Sequence, residues 1–203
     1  MKVLNVQVPR VVKSLAIAAP LLLASPIMKA HKFQAEQDVF VKTEACPCDS
    51  IDKEMLCSPV VEVANDTIYP AVVVDISEGK LYHYNLDAYL EDVYPIASGK
   101  KSTPTKPALK VITGIEKYPY KSAPKATKRY KNPNDYGTYL LNLSNIDLAT
   151  GKITGSDGQF IHGTFNPESI GKKVTKGCVR VNNDVIEILA DRLSVGQYVL
   201  IRE

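Results

Sequence analysis

The strongest constraint on the fold is that, from residue 68 onward, the sequence breaks into short apolar segments separated by turn residues. Short runs rich in Val, Ile, Leu and Tyr, bounded by Gly, Pro, Asn or Asp, are typical of β-strands. The first two runs flank Ser-Glu-Gly-Lys at 77–80, which predicts a hairpin. The candidate strands are residues 71–76, 81–84, 89–97, 111–115, 139–143, 159–162 and 197–201.

Helical patterning is confined to the C-terminal part of the chain. Residues 183–193 have helical spacing, and Asp184 with Glu187 predicts a capping box at the start of this helix. The apolar residues that predict its buried face are Val185, Ile188, Leu189 and Leu193. Residues 166–171 begin with Asn-Pro and end in Gly, which predicts a single helical turn. The whole pattern predicts a mainly β fold with one or two helices, a β-sandwich or partial barrel.

Two residues with catalytic chemistry lie near the end of this pattern. His162 is one of three histidines, and Cys178 is the only cysteine outside an N-terminal cluster. A thiol attacks carbonyls as a thiolate, and its ordinary pKa near ~8.5 means that a base must take its proton at neutral pH. A histidine within hydrogen-bond reach can accept that proton and return it to a leaving amine. His83, in contrast, lies among aromatic strand residues without a nucleophile beside it, so we interpret it as structural.

The neighbours of Cys178 fit the same chemistry, whereas an isolated Cys between apolar residues is usually inert core. Gly177 permits a tight turn, so that consecutive N–H groups can face the oxygen of a tetrahedral intermediate. Arg180 lies on the same side as Cys178 if the segment is extended. Its fixed charge would there favour the thiolate or hold a substrate carboxylate.

The two residues also lie in a recognisable motif. His-Gly at 162–163, followed after a loop by Thr-Lys-Gly-Cys-Val-Arg at 175–180, resembles the signature of the L,D-transpeptidases (YkuD-type catalytic domain) of bacterial cell walls. The resemblance extends over residues 68–203 and implies the β-rich fold of that family. Lys176 stands where the family usually has His, and the segment after Thr105 lacks the family's common Pro-x-Gly-x-Phe run. Residues 106–136 are therefore the part to which family properties transfer least.

The resemblance implies a reaction on peptidoglycan that needs no metal or organic cofactor. Cys178 would attack the carbonyl that links diaminopimelate to a terminal D-alanine in a tetrapeptide stem, and His162 would move the proton. The residues that the resemblance implies as oxyanion-holding or orienting are Gly177, Gly163 and Lys176, with the Gly163 carbonyl orienting the histidine. Those that it implies as substrate-binding are Arg180 and Thr175.

The acyl acceptor distinguishes several functions. An amine of another stem would give a cross-link, and an amine of a wall-anchored protein would attach that protein. Water as the acceptor would make the chain an L,D-carboxypeptidase with the same site. A papain-like protease is disfavoured because its cysteine precedes its histidine. A non-catalytic cell-wall-binding module with an inert Cys178 is the remaining alternative.

The first thirty residues predict a signal peptide, and hence a protein exported to the periplasm or cell envelope. Lys2, Arg10 and Lys13 precede an apolar run at 14–28 that is too short to span a membrane, which needs ~20 residues. An uncleaved anchor is the alternative. Four of the 25 basic residues lie in this segment, which leaves 21 against 22 acidic ones. This balance gives no support to nucleic acid as a partner.

Residues 31–67 form a predicted N-terminal segment with a cysteine cluster. In an exported protein we expect a disulfide, Cys46–Cys57 or Cys48–Cys57. The alternative is a metal site, but three thiolates lack an obvious fourth ligand.

The chain also contains a basic stretch at residues 100–131. It has ten basic residues and a single acidic residue, Glu116. Interleaved Pro and Tyr residues predict a loop with aromatic contacts. This loop is either a solvated surface or a rim that attracts anionic wall polymer.

Overall fold

The computed structural model of the protein describes residues 41–42, 57–120 and 136–203, all within one compact unit, Gln37–Glu203. The predicted signal peptide at 1–30 lies outside the described residues. Cys57 is disulfide-bonded, as expected of this segment, and its candidate partners Cys46 and Cys48 lie outside the described residues. Within the described ranges, no helix is long and apolar enough to cross a membrane.

The described residues form fourteen strands and one α-helix, which confirms a mainly β fold with one helix. The elements are β1 Val41–Lys42, β2 Val60–Val63, β3 Asp66–Ile68, β4 Val72–Asp75, β5 Lys80–Tyr84, β6 Leu90–Pro95, β7 Ser98–Gly99, β8 Ala108–Lys117, β9 Tyr139–Ile146, β10 Ile153–Gly155, β11 Phe160–His162, β12 Lys173–Thr175, β13 Val179–Arg180, α1 Asn183–Arg192 and β14 Tyr198–Arg202. A 3₁₀ turn at Pro167–Ser169 occupies the position of the predicted single helical turn.

The main sheet has nine strands in the order β13-β11-β9-β8-β14-β4-β5-β6, with β10 paired to β9. The predicted hairpin is β4–β5, in which Val74 is the partner of Leu81. The neighbours β14 and β4 are parallel, as are β11 and β13, and the other pairs of this sheet are antiparallel. The chain therefore brings two late segments, β11 and β13, together at one edge of the sheet.

Both faces of this sheet are covered. On one face, Val72 and Val74 of β4 pack in a core that includes α1, while Val73 faces a second core that includes Val61 and Val63 of β2. This division follows from the alternation of side chains along a strand. Residues from the predicted N-terminal segment thus pack onto the sheet.

Three of the four residues predicted for the buried face of α1 are buried (Val185, Leu189 and Leu193), but two other details are wrong. Ile188 is partly exposed, and Ile186, which is fully buried, takes its place in the core beside Val185 and Leu189. The predicted capping box is absent, because the helix begins at Asn183, one residue before Asp184, and its N-cap makes no side-chain capping bond. Ile186 lies three residues before Leu189, so helical spacing places it on the same buried face.

The basic stretch is not one loop. Its central part, Ala108–Lys117, is the long strand β8, which extends the predicted strand at 111–115. Lys110 is fully buried, whereas Lys100, Lys101 and Lys106 are exposed. Residues 121–131 lie outside the described residues.

Candidate active site

Parallel pairing of two short strands brings the predicted catalytic residues together. Ile161 of β11 is the partner of Val179 of β13, and His162 is the partner of Arg180. Ile161 and Val179 are almost completely buried, so apolar packing fixes the pairing. Cys178 immediately precedes β13 and is therefore carried to the same edge as His162.

A cavity of about 270 Å³ opens at this edge. Its lining residues are Tyr136, His162, Val174, Thr175, Lys176, Cys178 and Arg180. The cavity thus contains five of the residues that the sequence singled out. Of the other two, Gly177 lies in the turn just before Cys178, and Gly163 follows His162 in the chain. The side chains of His162 and Cys178 are 2% and 6% exposed, which shields them from bulk water while the cavity gives access.

The imidazole of His162 is held by the backbone of the next residue. Its Nδ1 lies 2.7 Å from the carbonyl oxygen of Gly163. A carbonyl only accepts hydrogen bonds, so Nδ1 carries the proton in the neutral ring and Nε2 has the lone pair. The ring of Tyr136 contacts the imidazole edge to face, with centroids 4.7 Å apart. This arrangement prepares Nε2 to act as a base.

Asn183 ties down the chain around Gly163. Its Oδ1 accepts hydrogen bonds from the N–H groups of Thr164 at 2.9 Å and Thr138 at 3.3 Å. The approach is close enough that a Cβ added to Gly163 would lie 2.3 Å from this oxygen, and one added to Gly137 would lie 2.1 Å from it. Glycine at both positions lets the start of α1 hold the loop after β11 against the loop before β9.

The turn before Cys178 is closed by Thr175. Its Oγ1 donates to the carbonyl of Cys178 at 2.6 Å and accepts from the N–H of Gly177 at 3.2 Å. Gly177 has φ +116°, which favours glycine. In this structure the Gly177 N–H therefore donates to Thr175 Oγ1.

The thiol of Cys178 has a further contact behind the cavity. Its Sγ lies 3.7 Å from the carbonyl oxygen of Gly158, to which the thiol donates. A thiol hydrogen bond of this length is weak but directional. Gly158 belongs to the loop that leads into β11, so the same segment that delivers His162 also contacts the sulfur.

Arg180 lies between two cavities. Its Nη1 donates to Ser169 Oγ at 3.0 Å, and its backbone exchanges two hydrogen bonds with Ala97. A second cavity, of about 370 Å³, shares Arg180 and Val174 with the first and is also lined by Asn166, Glu168, Ser169 and Lys172. The guanidinium group is thus fixed at the junction, where it can meet a substrate carboxylate.

Within the described residues, one group of three candidate metal ligands exists: His83, Glu91 and Asp92. It lies on β5 and β6, at the other edge of the sheet from the cavity. Nη1 of Arg192 lies 2.7 Å from Asp92 Oδ2 and 3.4 Å from Glu91 Oε2, so a cationic side chain already pairs with both carboxylates. The arrangement agrees with a structural role for His83.

Sequence reasoning missed Tyr136 and Asn183. Tyr136 lies at the end of residues 106–136, where family properties transfer least, and it reaches His162 only because the sheet folds that way. Asn183 lies at the start of the helix that the sequence predicts, where nothing local indicates its contacts with the loops around Gly163. The sequence feature that could have indicated the role of Asn183 is the pair of glycines at 137 and 163, since each permits a close approach to the backbone.

Comparison with known proteins agrees with this fold and motif. The YkuD family, described as the L,D-transpeptidase catalytic domain, matches residues 69–201. The putative L,D-transpeptidase YqjB of Bacillus subtilis is 30% identical over 153 residues, which cover 73% of this chain and 81% of that protein. The probable L,D-transpeptidase ErfK/SrfK of Escherichia coli is 27% identical over 161 residues, 72% of this chain and 48% of that protein. The chain therefore spans about half the length of the latter.

Solved structures show the same fold. L,D-transpeptidase 3 from Mycobacterium tuberculosis, in complex with a faropenem-derived adduct, is 18% identical with a TM-score of 0.50, covering 71% of this chain and 67% of that one. A mutant of an Enterococcus faecium L,D-transpeptidase is 22% identical, also with a TM-score of 0.50, covering 71% and 56%. The family match over more than half of the chain and the B. subtilis relative settle the classification: the chain belongs to the YkuD family of L,D-transpeptidase catalytic domains.

Proposed function

We propose that the protein is an exported cysteine L,D-transpeptidase that modifies peptidoglycan in the periplasm or cell envelope. Membership of the family supports a peptidoglycan-modifying transpeptidase. The observation that carries the proposal for this chain is the shared cavity. His162 and Cys178 both line it. The hydrogen bond from Nδ1 of His162 to the Gly163 carbonyl leaves Nε2 as the basic nitrogen. Cys178 directly precedes β13, the strand that pairs with the strand of His162.

The first half-reaction forms an acyl-enzyme. His162 Nε2 accepts the thiol proton as Cys178 Sγ bonds to the carbonyl carbon between diaminopimelate and the terminal D-alanine. The tetrahedral intermediate then breaks its C–N bond. The imidazolium gives the proton to the departing amine of D-alanine, which leaves a thioester on Cys178.

The second half-reaction reverses these steps with a different amine. An amine of another stem, or of a wall-anchored protein, attacks the thioester and loses a proton to His162. The C–S bond breaks and the thiol regains a proton. Water in place of the amine gives the L,D-carboxypeptidase outcome. The chemistry requires no metal or organic cofactor.

The developing oxyanion needs donors, and the backbone N–H of Cys178 is the one that we assign first. The N–H of Gly177 can act as a second donor only if it gives up its hydrogen bond to Thr175 Oγ1. That hydroxyl also donates to the carbonyl of Cys178 in the same turn. Exposed Lys176 borders the same cavity and adds a positive charge there. Thr175 thus controls the shape of the turn, and we assign it positioning rather than direct substrate contact.

Substrate binding is assigned to the two adjoining cavities. Arg180 at their junction would bind a carboxylate of the stem peptide, held in orientation by Ser169. Glu168 and Lys172 in the second cavity place one charge of each sign near it. A zwitterionic amino-acid group matches such a pair.

The product spectrum of the purified chain tests the proposal. The protein is incubated with disaccharide-tetrapeptide muropeptides, with and without an acceptor amine, and the products are identified by mass spectrometry. Release of D-alanine with a new amide, absent in Cys178→Ala, is the expected result. A tripeptide product alone would favour the carboxypeptidase. No turnover by the folded chain would favour the non-catalytic module.

A further inference from the structure

A lysine beside the loop that contacts Cys178 is completely buried. Lys110 on β8 is 0% exposed. Its Nζ lies 3.0 Å from each carboxylate oxygen of Asp157 and 2.5 Å from Oδ1 of Asn145, its neighbour on β9. Removing an ammonium group from water costs several kcal/mol, roughly, unless it is paired and hydrogen-bonded, as this one is.

The complete burial of Lys110 needs a reason other than stability. A buried charge is weak evidence for stability, since an apolar residue at such a site is often as good or better. A role in holding a particular loop is the alternative that the contacts support.

The partner of Lys110 organises the loop that precedes β11. Asp157 Oδ1 accepts a hydrogen bond from the N–H of Gln159 at 3.2 Å, and the N–H of Gly158 donates to Ser156 Oγ at 3.1 Å. Burial alone raises the pKa of Asp157, but the hydrogen bond and charge of Lys110 more than offset this and lower the pKa below 3.8. The carboxylate is therefore ionised at neutral pH and bound to the lysine.

The carbonyl that this loop presents is the one that contacts the nucleophile. Gly158 has φ +79°, and its oxygen accepts the thiol hydrogen of Cys178 at 3.7 Å. The path from Lys110 Nζ to Cys178 Sγ thus consists of the ion pair with Asp157, the hydrogen bond from Gln159 N–H to Asp157, the Gly158–Gln159 peptide unit and the hydrogen bond from Cys178 to the Gly158 carbonyl. A displacement of Asp157 moves the Gly158 carbonyl with it.

We propose that the Lys110–Asp157 ion pair is a positioning device for the nucleophile, which fixes the Gly158 carbonyl so that it orients the Cys178 thiol. The inference rests on the proposed function, because Cys178 is the nucleophile there. The carbonyl bonds to the protonated sulfur and not to the thiolate, so it also stabilises the neutral thiol before substrate arrives. Loss of the anchor makes the thiol easier to ionise and less well directed.

The test removes the pair without changing the net charge. In the full chain, Lys110→Met/Asp157→Leu is compared with wild type. The matched control is Arg192→Met/Asp92→Leu, which removes an ion pair at the other edge of the sheet. Iodoacetamide alkylation of Cys178 is followed against pH by peptide mass spectrometry, and D-alanine release is followed separately. Lys110→Gln, which retains a donor to Asp157, is the conservative variant.

We expect the pH midpoint of Cys178 alkylation to fall by about half a unit or more in Lys110→Met/Asp157→Leu, with turnover down about tenfold or more. The control variant should keep both values, and Lys110→Gln should lie closer to wild type. An unchanged midpoint in the folded anchor variant would overturn the inference. If that variant does not melt cooperatively, Lys110→Met/Asp157→Asn is measured instead against the same two outcomes. Alkylation needs no peptidoglycan. A wild-type chain without turnover would therefore refute the proposed function, while the alkylation midpoints would still test the role of the ion pair.

Discussion

The carbonyl oxygen of Gly163 lies 2.7 Å from Nδ1 of His162, so the residue after the histidine fixes the tautomer of its ring. The same glycine has no room for a side chain. A Cβ there would lie 2.3 Å from Asn183 Oδ1 and 2.9 Å from Ile186 Cγ2. The orientation of the base and the docking of α1 therefore depend on one residue.

Gly163→Ala should consequently lose both stability and activity. The overpacking should cost about 1–3 kcal/mol, and displacement of the carbonyl should reduce turnover about tenfold or more. Thermal melting and D-alanine release measure the two effects. Gly79→Ala is the control, because Gly79 has φ +66° but open space around it, so it should lower stability and leave turnover per folded molecule unchanged. Equal turnover in Gly163→Ala and wild type would contradict the assigned role of the carbonyl.

Asn183→Ala removes the acceptor of two backbone N–H groups. The unsatisfied donors should cost about 1–3 kcal/mol, and the loop after His162 should loosen, lowering turnover. Asn183→Asp keeps an oxygen at the same place and should stay close to wild type. The adjacent Asn182→Ala is the control, since Asn182 makes no side-chain capping bond. If Asn182→Ala and Asn183→Ala behaved alike, the role of Asn183 would be refuted.

Thr175→Val tests the turn that carries Cys178. The substitution keeps the shape but removes the hydroxyl that links Gly177 N–H to the Cys178 carbonyl. We expect a loss of about 1 kcal/mol in stability and a drop in turnover, mainly in kcat, because the oxyanion donor next to the sulfur moves. Thr175→Ser should retain most activity. A rise in KM alone would instead make Thr175 a substrate-binding residue.

The lowered pKa of His83 predicts how the stability of the fold depends on pH. Burial lowers the pKa of His83 below its ordinary value of 6.5, Arg192 lowers it further, and Glu91 and Asp92 offset only part of the shift. The unfolded chain thus binds a proton more readily than the folded one, so this contribution to stability is complete above pH 6.5 and is lost as the pH falls toward the lowered value. The melting temperature should fall between pH 7.5 and pH 5, less steeply in His83→Phe. Parallel curves for the two proteins would contradict this.

Several elements were predictable because local pattern and tertiary packing agree in them. The β4–β5 hairpin has apolar runs on both sides of a turn with Gly79, and the sheet buries both runs. The motif at 162–163 and 175–180 identified five of the seven residues that line the cavity. The strands β11 and β13 needed only to pair, and their apolar residues Ile161 and Val179 ensure this.

Other features depended on contacts that no local pattern contains. Ile186 rather than Ile188 is buried, and Ile186 packs close to Gly163, a contact that the helical spacing of the sequence does not show. Lys110 belongs to the basic stretch that predicts a loop, but it is buried and forms an ion pair with Asp157, 47 residues away. Tyr136 contacts His162, 26 residues further along the chain (162 − 136). Such pairings are set by the fold and are not visible in a single stretch of residues.

The central claim is that His162 activates Cys178 for acylation, and a carbapenem tests it most directly because the reaction forms a covalent adduct on the sulfur. Intact-mass and peptide mass spectrometry should find one adduct, on Cys178, in the wild-type chain. Acylation should be about a hundredfold slower or more in His162→Gln, which lacks the base, and absent in Cys178→Ala. An adduct that persists in Cys178→Ala, or a wild-type rate equal to that of His162→Gln, would contradict the account.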